Sequence, residues 1–203
     1  MPWTSRDGKR TFWAWSAIKA KPATPKKVGA LPVGDGEAVK QTNEIGMAIP
    51  LLEALDLTGK TLTADALLTQ RKLAAYLIEH QAHYVFTVKD NQPTLREALR
   101  VLFEDRPPPD HQEAPTLAHG RIEQRAIWTS TRLNDYLDFP GVGQVFAVER
   151  RVTEKKSGKT STETVFGLTR HTPQTADAAR VLAYNRGHWT IESAPQAHRG
   201  GSG

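Results

Sequence analysis

Regular alternation of apolar and polar positions begins only past residue 41. Between Ile45 and Leu57, the residues Ile49, Leu51, Leu52, Leu55 and Leu57 fall at helical spacing and stop before Gly59, which predicts a short helix. Lys60-Thr61-Leu62-Thr63-Ala64-Asp65 is short and β-branched, which predicts a strand. Thr69 can then cap a helix that places Leu73, Tyr76, Leu77 and His80 on one face. His83-Tyr84-Val85-Phe86-Thr87-Val88 predicts a second strand, and Pro93, after a polar loop, suits the first turn of a third helix. Two strand-then-helix units in succession predict an α/β sheet with helices packed on its faces.

The pattern changes after Arg106. Pro107-Pro108-Pro109 predicts an exposed loop, and three alternating stretches follow, Arg121 to Ser130, Gln144 to Thr153 and Thr160 to Thr169. Lys156-Ser157-Gly158-Lys159 supplies turn chemistry between the last two, so this part reads as antiparallel. Beyond Pro173, the spacing of Ala176, Ala179, Leu182 and Ala183 predicts a helix running towards Trp189 and Ile191. The organisation expected is an irregular basic segment over 1–41, a partial catalytic-type α/β domain over 42–193 and a disordered tail over 194–203.

Composition narrows this. The 203 residues suffice for one domain, and no apolar run reaches the ~18–20 residues of a membrane helix. Met1 to Arg6 lack a basic stretch followed by an apolar one, so the expectation is a cytoplasmic protein with no membrane partner. The absence of cysteine excludes disulfides, cysteine zinc sites and thiol catalysis, so any metal must be held by oxygen or imidazole. Residues 1–30 hold Arg6, Lys9, Arg10, Lys19, Lys21, Lys26 and Lys27 against Asp7 alone. Of the net charge of +5, that segment carries +6 and the remainder −1. The segment reads either as a phosphate-contacting arm with interleaved Trp3, Phe12, Trp13 and Trp15, or as a solvated leader.

Asp65 closes a predicted strand between Ala64 and Ala66, and reactive groups in open α/β sheets collect at the carboxyl ends of strands. It is read either as a Mg2+ ligand or as an aspartate that ends a strand. Glu192, in Arg186-Gly187-His188-Trp189-Thr190-Ile191-Glu192, has basic and aromatic neighbours that favour its charged form, or is an ordinary surface glutamate on a helix. His80 and His83 straddle a helix end and a strand start, which argues against a zinc site.

Several strings in fixed order resemble insertion-sequence transposases of the ISAs type, a branch of the DDE group with an RNase-H-like core. They are Thr42-Asn43-Glu44-Ile45, Leu57-Thr58-Gly59-Lys60 leading into Thr63-Ala64-Asp65-Ala66-Leu67, Tyr84 through Lys89-Asp90-Asn91-Gln92-Pro93-Thr94-Leu95, His119-Gly120-Arg121-Ile122-Glu123, and Arg186 through Glu192. The resemblance implies a mixed RNase-H-like sheet flanked by helices with an antiparallel β section. It also implies cleavage and transfer of DNA strands at insertion-sequence ends, with carboxylates holding two Mg2+ or Mn2+ ions. Asp65 resembles the family's second catalytic aspartate and Glu192 its glutamate, both as metal ligands. Lys89, Asn91 and Gln92 resemble a polar loop near the site. His119, Arg121, Arg186 and His188 resemble positions that face DNA or orient the carboxylates.

The family's first aspartate has one counterpart before Thr42, in Asp7-Gly8-Lys9. Asp7 is read either as that catalytic residue or as a second, non-catalytic Asp-Gly downstream of it. Against the family pattern both ends read as cut, with part of the first strands replaced over 12–41, so a truncated copy with an incomplete sheet is expected. Two functions stay open, an active DDE transposase and an inactive remnant with at most DNA-binding or partner-binding activity; homo-oligomer formation stays open too. A third reading, a small-ligand α/β domain, predicts a phosphate-binding loop that the sequence lacks.

Overall fold

The structure, a computed structural model, describes the backbone of residues 3–4, 11–14 and 46–192 and the side chains of residues 46–187. Among these, nine strands form one mixed sheet. They are β1 (Trp3–Thr4), β2 (Thr11–Ala14), β3 (Thr61–Ala64), β4 (His83–Val88), β5 (His111–Gln112), β6 (Thr116–Ala118), β7 (Arg121–Ser130), β8 (Gln144–Glu154) and β9 (Thr160–Thr169). The order across the sheet is β1-β2-β3-β4-β9-β8-β7-β5, with β6 also paired to β7. β2, β3 and β4 run parallel, and every other pair is antiparallel. The architecture is therefore α/β with an antiparallel section, as the periodicity predicts.

Helices cover both faces because side chains alternate along each strand. Leu62, Ala64, Tyr84, Phe86, Val88, Val145, Ala147 and Leu168 point to one side. There they meet α1 (residues 46–52), α2 (Arg71–Glu79) and α3 (Pro93–Leu102) through Ala48, Leu52, Leu73, Ala74, Leu77 and Leu99. Val85, Ile127, Phe146 and Val148 point to the other side and meet Val181, Leu182 and Tyr184 of α4 (Ala178–Glu192). β4 lies between two neighbours under helices on both faces, which is why five of its six residues are buried and why it reads as an almost continuous apolar run.

Some elements differ from the sequence-based expectation. α1 stops at residue 52 instead of running to Leu57: the Leu55 N–H turns back to Leu52 O, and further on the Asp56 carboxylate accepts the Thr58 N–H. Thr69 does not cap α2: Gln70 precedes α2 with no side-chain cap, and the Thr69 hydroxyl is engaged elsewhere. α2 ends without a glycine. Gln81 takes φ 54°, so that its N–H reaches Ile78 O and the Ala82 N–H reaches Leu77 O, the double bond of a Schellman motif. Of the residues expected on one face of α4, Leu182 is buried and Ala183 exposed. The segment 1–41, expected to be irregular, contributes β1 and β2, and β2 pairs in parallel with β3 through Phe12↔Thr61 and Ala14↔Thr63. The expected tail, 194–203, lies outside the described residues.

β7, β8 and β9 are longer than the core they cross. Their apolar halves are buried against the helices, whereas residues 150–164 are half-buried or exposed and extend past the helices. No helix among the described residues is long and apolar enough to cross a membrane.

Candidate functional site

The site begins where two parallel strands end. β3 and β4 stop at Ala64 and Val88, and the residues that follow face each other at the same edge of the core. Asp65 is the first residue off β3. Its backbone is extended, with φ −75° and ψ 177°, so the strand alternation carries through it and it shares a face with Thr61 and Thr63. That is the face on which α4 packs against β2, β3 and β4. Asp65 itself is half-buried, and among the described residues its buried Oδ1 has no hydrogen-bond partner.

The chain after Asp65 forms one turn of 310 helix, Ala66–Leu68, with no side-chain cap. The loop after β4 holds this turn. Asn91 Nδ2 donates to Ala66 O at 2.7 Å, and Gln92 Nε2 donates to Thr69 O. The Thr69 hydroxyl lies 2.5 Å from Thr87 O and 3.1 Å from Asp65 O, and its single proton goes to the nearer carbonyl. Asn91 and Gln92, expected in a polar loop near the site and as DNA contacts, donate their side-chain amides to backbone carbonyls of the turn that follows Asp65. Lys89 is exposed at the end of β4.

On the α4 face, the buried positions next to β3 are polar. His171 stacks between His83 and Tyr184, with ring centroids 4.2 and 5.3 Å away and planes within 9°. Its Nε2 lies 3.0 Å from the Thr61 hydroxyl. The guanidinium of Arg180 sits 5.4 Å from the centre of the Tyr184 ring. This layer joins the start of β3 to α4.

The other predicted residues divide into two groups. Arg186, on α4, pairs with Glu113 at 3.1 Å instead of standing free. Glu113 also reaches Arg125 at 3.9 Å, Arg125 pairs with Glu123, and Glu123 takes two bonds from Arg150 at 2.9 and 3.1 Å. The Arg150 hydrogen bonds, followed by the charges of Arg125, Arg150 and Arg186, hold the Glu123 carboxyl below its usual range against a contrary effect of burial. Burial pulls the Arg125 guanidinium down from its own usual value. His119 sits in the turn between β6 and β7, where it has φ 47° and Gly120 φ 73°, and Arg121 opens β7. Arg121 is exposed, 4.0 Å from Glu154. Trp128, Ala147, Phe166 and Val88 form one row across the sheet. From there β7 leads back to Arg121 over roughly 23 Å at ~3.3 Å per residue, so these two residues are remote from Asp65.

Glu192 is the last residue of α4, and its side chain and that of His188 lie outside the described residues, as does Asp7. Among the described residues no group of three His, Asp or Glu side chains could hold a metal ion. Asp65 alone still fits one ligand position. A buried carboxylate oxygen without a donor is costly, and an oxygen ligand at a strand's carboxyl end suits Mg2+ or Mn2+. The hydrogen bonds of Thr69 and the network from Glu113 to Arg150 were not expected from the sequence. They join segments far apart in the chain, and no local spacing marks them.

The family profile described as the transposase DDE domain matches residues 33–194. A Xanthobacter autotrophicus protein, described as an uncharacterized protein in the dhlA 3′ region, is 34% identical over 139 residues, which is 65% of this chain and 46% of that protein. The Escherichia coli "H repeat-associated putative transposase YbfD" is 30% identical over 114 residues, 54% of this chain and 45% of its own length. YbfL, also of Escherichia coli, is 27% identical over 81% of this chain and 45% of itself. The chain thus spans about half the length of the curated relatives it matches. A piggyBac transposase chain from a synaptic complex with hairpin DNA aligns with 79% of this chain and 27% of its own at 14% identity, but at a TM-score of 0.36 no argument is drawn from it. With the profile matched over most of its length, the chain belongs to the transposase DDE domain family.

Proposed function

We propose that residues 42–193 form part of the RNase-H-like catalytic domain of an insertion-sequence transposase of the ISAs type, which cleaves and transfers DNA strands with Mg2+ or Mn2+. The observation that carries the reading is the buried Oδ1 of Asp65, without a partner among the described residues, at the carboxyl end of a parallel strand on the face that α4 covers. Asp65 and Glu192 are its metal ligands, and α4 is the element that would bring the second towards the first. Divalent ions held there would supply Lewis-acid activation of the attacking hydroxyl and stabilise charge on the leaving oxygen. The protein's part is to fix the carboxylates and the DNA backbone. In cleavage, water attacks a phosphodiester and leaves a 3′-hydroxyl and a 5′-phosphate; in transfer, that 3′-hydroxyl attacks a target phosphodiester, joins to its phosphorus and expels the target strand's own 3′-oxygen as a hydroxyl.

Lys89, exposed just past the end of β4, the strand beside β3, supports a phosphate contact near the proposed site. His119 and Arg121, on the projecting strands, support a contact further along the duplex. The test is Mn2+- or Mg2+-dependent nicking of supercoiled DNA by the purified chain, beside Asp65→Ala and Glu192→Ala. Nicking that needs metal and disappears in both variants is expected. A folded wild type that cuts nothing would mean an inactive transposase relative, and nicking that survives Asp65→Ala would remove Asp65 from the chemistry.

A further inference from the structure

A metal ligand must be held to within ~0.5 Å of its working position, and the local structure around Asp65 cannot do this by itself. One turn of 310 helix without a side-chain cap at its start is weakly held, and it is the element that directly follows the carboxylate in sequence. On the other side Asp65 is anchored by Ala64, which is paired to Phe86 in the sheet. What fixes the free side is the neighbouring strand and its loop. Asn91 holds Ala66 O, the next carbonyl after Asp65, at 2.7 Å, Gln92 holds Thr69 O, and Thr69 ties the turn to Thr87 of β4 at 2.5 Å. The Thr69 hydroxyl and Thr87 O are buried, so this bond is shielded from competing water.

We propose that Thr69, Asn91 and Gln92 are positioning residues that set the Asp65 carboxylate for a divalent cation, and that Asn91 and Gln92 serve this purpose instead of contacting DNA. The inference rests on the reading of Asp65 as a metal ligand given above. Outer residues that orient a metal ligand typically change affinity by roughly 10- to 100-fold when removed. The three bonds differ from general packing in that each is a side-chain donor on a backbone carbonyl of the turn or of the strand beside it. Removing a donor while keeping its volume therefore isolates the effect.

The experiment is a Mn2+ titration of the full chain without DNA, followed by the electron paramagnetic resonance signal of free Mn2+. Wild type, Asp65→Ala, Thr69→Val, Thr69→Ser, Asn91→Leu and Gln92→Leu are compared, with circular dichroism confirming that each is folded. Thr69→Val and Asn91→Leu are expected to bind Mn2+ roughly 10- to 100-fold more weakly than wild type. Thr69→Ser, which keeps the hydroxyl, stays within about threefold of wild type. If wild type binds Mn2+ through Asp65 and the folded Thr69→Val and Asn91→Leu bind it equally well, the positioning role is wrong while the ligand assignment stands. If wild type and Asp65→Ala titrate alike, the ligand assignment itself fails and the positioning role goes with it. Should Asn91→Leu not fold, the Thr69→Val and Thr69→Ser pair decides, since Val keeps the shape of Thr without the hydroxyl and Ser keeps the hydroxyl without the methyl.

Discussion

The Thr61 hydroxyl and His171 Nε2 lie 3.0 Å apart in a layer where Thr61 is 3% and His171 2% exposed. They join the first residue of β3 to the segment that leads into α4, and so link the strand that carries Asp65 to the helix that carries Glu192. Thr61→Val keeps the shape and removes this partner, which should cost about 1–3 kcal/mol. Urea unfolding of Thr61→Val, His171→Leu and the double variant should give a coupling energy of at least ~0.5 kcal/mol. Strictly additive losses would show that the contact does not stabilise the fold.

Gly167 marks the crossing point of the core. It lies in β9 between β4 and β8, and a β-carbon there would come 2.5 Å from Phe86 O and would enter the ring of Phe146. A backbone carbonyl in a central strand cannot move aside cheaply. Gly167→Ala is therefore expected to lose about 1–3 kcal/mol or more and to unfold at a lower temperature. Gly158→Ala is the comparison: it is strained by its φ of 66° but has open space around it, so its loss should be smaller. Equal melting points for the two variants would contradict this packing.

Glu123 should impose a pH dependence. Its carboxyl is held below the usual glutamate value of about 4.3, and its side chain is 22% exposed. A depressed folded pKa means that its contribution is fully present above the unfolded value and is lost as pH falls through the folded one. At pH 7, Glu123→Gln should cost about 1–3 kcal/mol, and the difference from wild type should shrink in acid. Denaturant unfolding at pH 7 and near pH 3 measures it, and a difference that does not change with pH would rule out the charge pairing as its source.

Exposure separates the basic residues proposed to contact DNA. Lys89 is exposed next to the candidate site, whereas Arg186 is already paired with Glu113. Lys89→Ala should lower the slope of log affinity against log salt by about 1, and Arg186→Ala by clearly less. A salt titration of binding to duplex DNA checks both, and the reverse order would mean that the Glu113 pair opens on binding.

How much was legible can be judged residue by residue. His83–Val88 could be delimited from sequence because six aromatic and β-branched residues stand between polar turns, and burial on both faces demands that run. Asp65 was identifiable as the end of a strand for the same local reason. Thr69 was not: a threonine before a helix looks like a cap, and only the proximity of Thr87 shows where its hydroxyl goes. Gln81 hides the end of α2 because glycine is the usual residue at φ 54°. β1 and β2 are too short to alternate, and β2 exists by pairing with β3, which no window of sequence contains. Glu113 and Arg186 meet for the same long-range reason.

The central claim, that Asp65 and Glu192 hold one divalent centre, is tested most directly by cutting the protein at its own metal site. Fe2+ substituted for Mg2+ generates hydroxyl radicals when treated with ascorbate and peroxide, and these break the polypeptide next to the bound ion. Backbone cuts close to both Asp65 and Glu192, suppressed by excess Mg2+ and lost in Asp65→Ala, are predicted. Cuts near one position without the other, or cuts indifferent to Mg2+ and to Asp65→Ala, would contradict a shared centre.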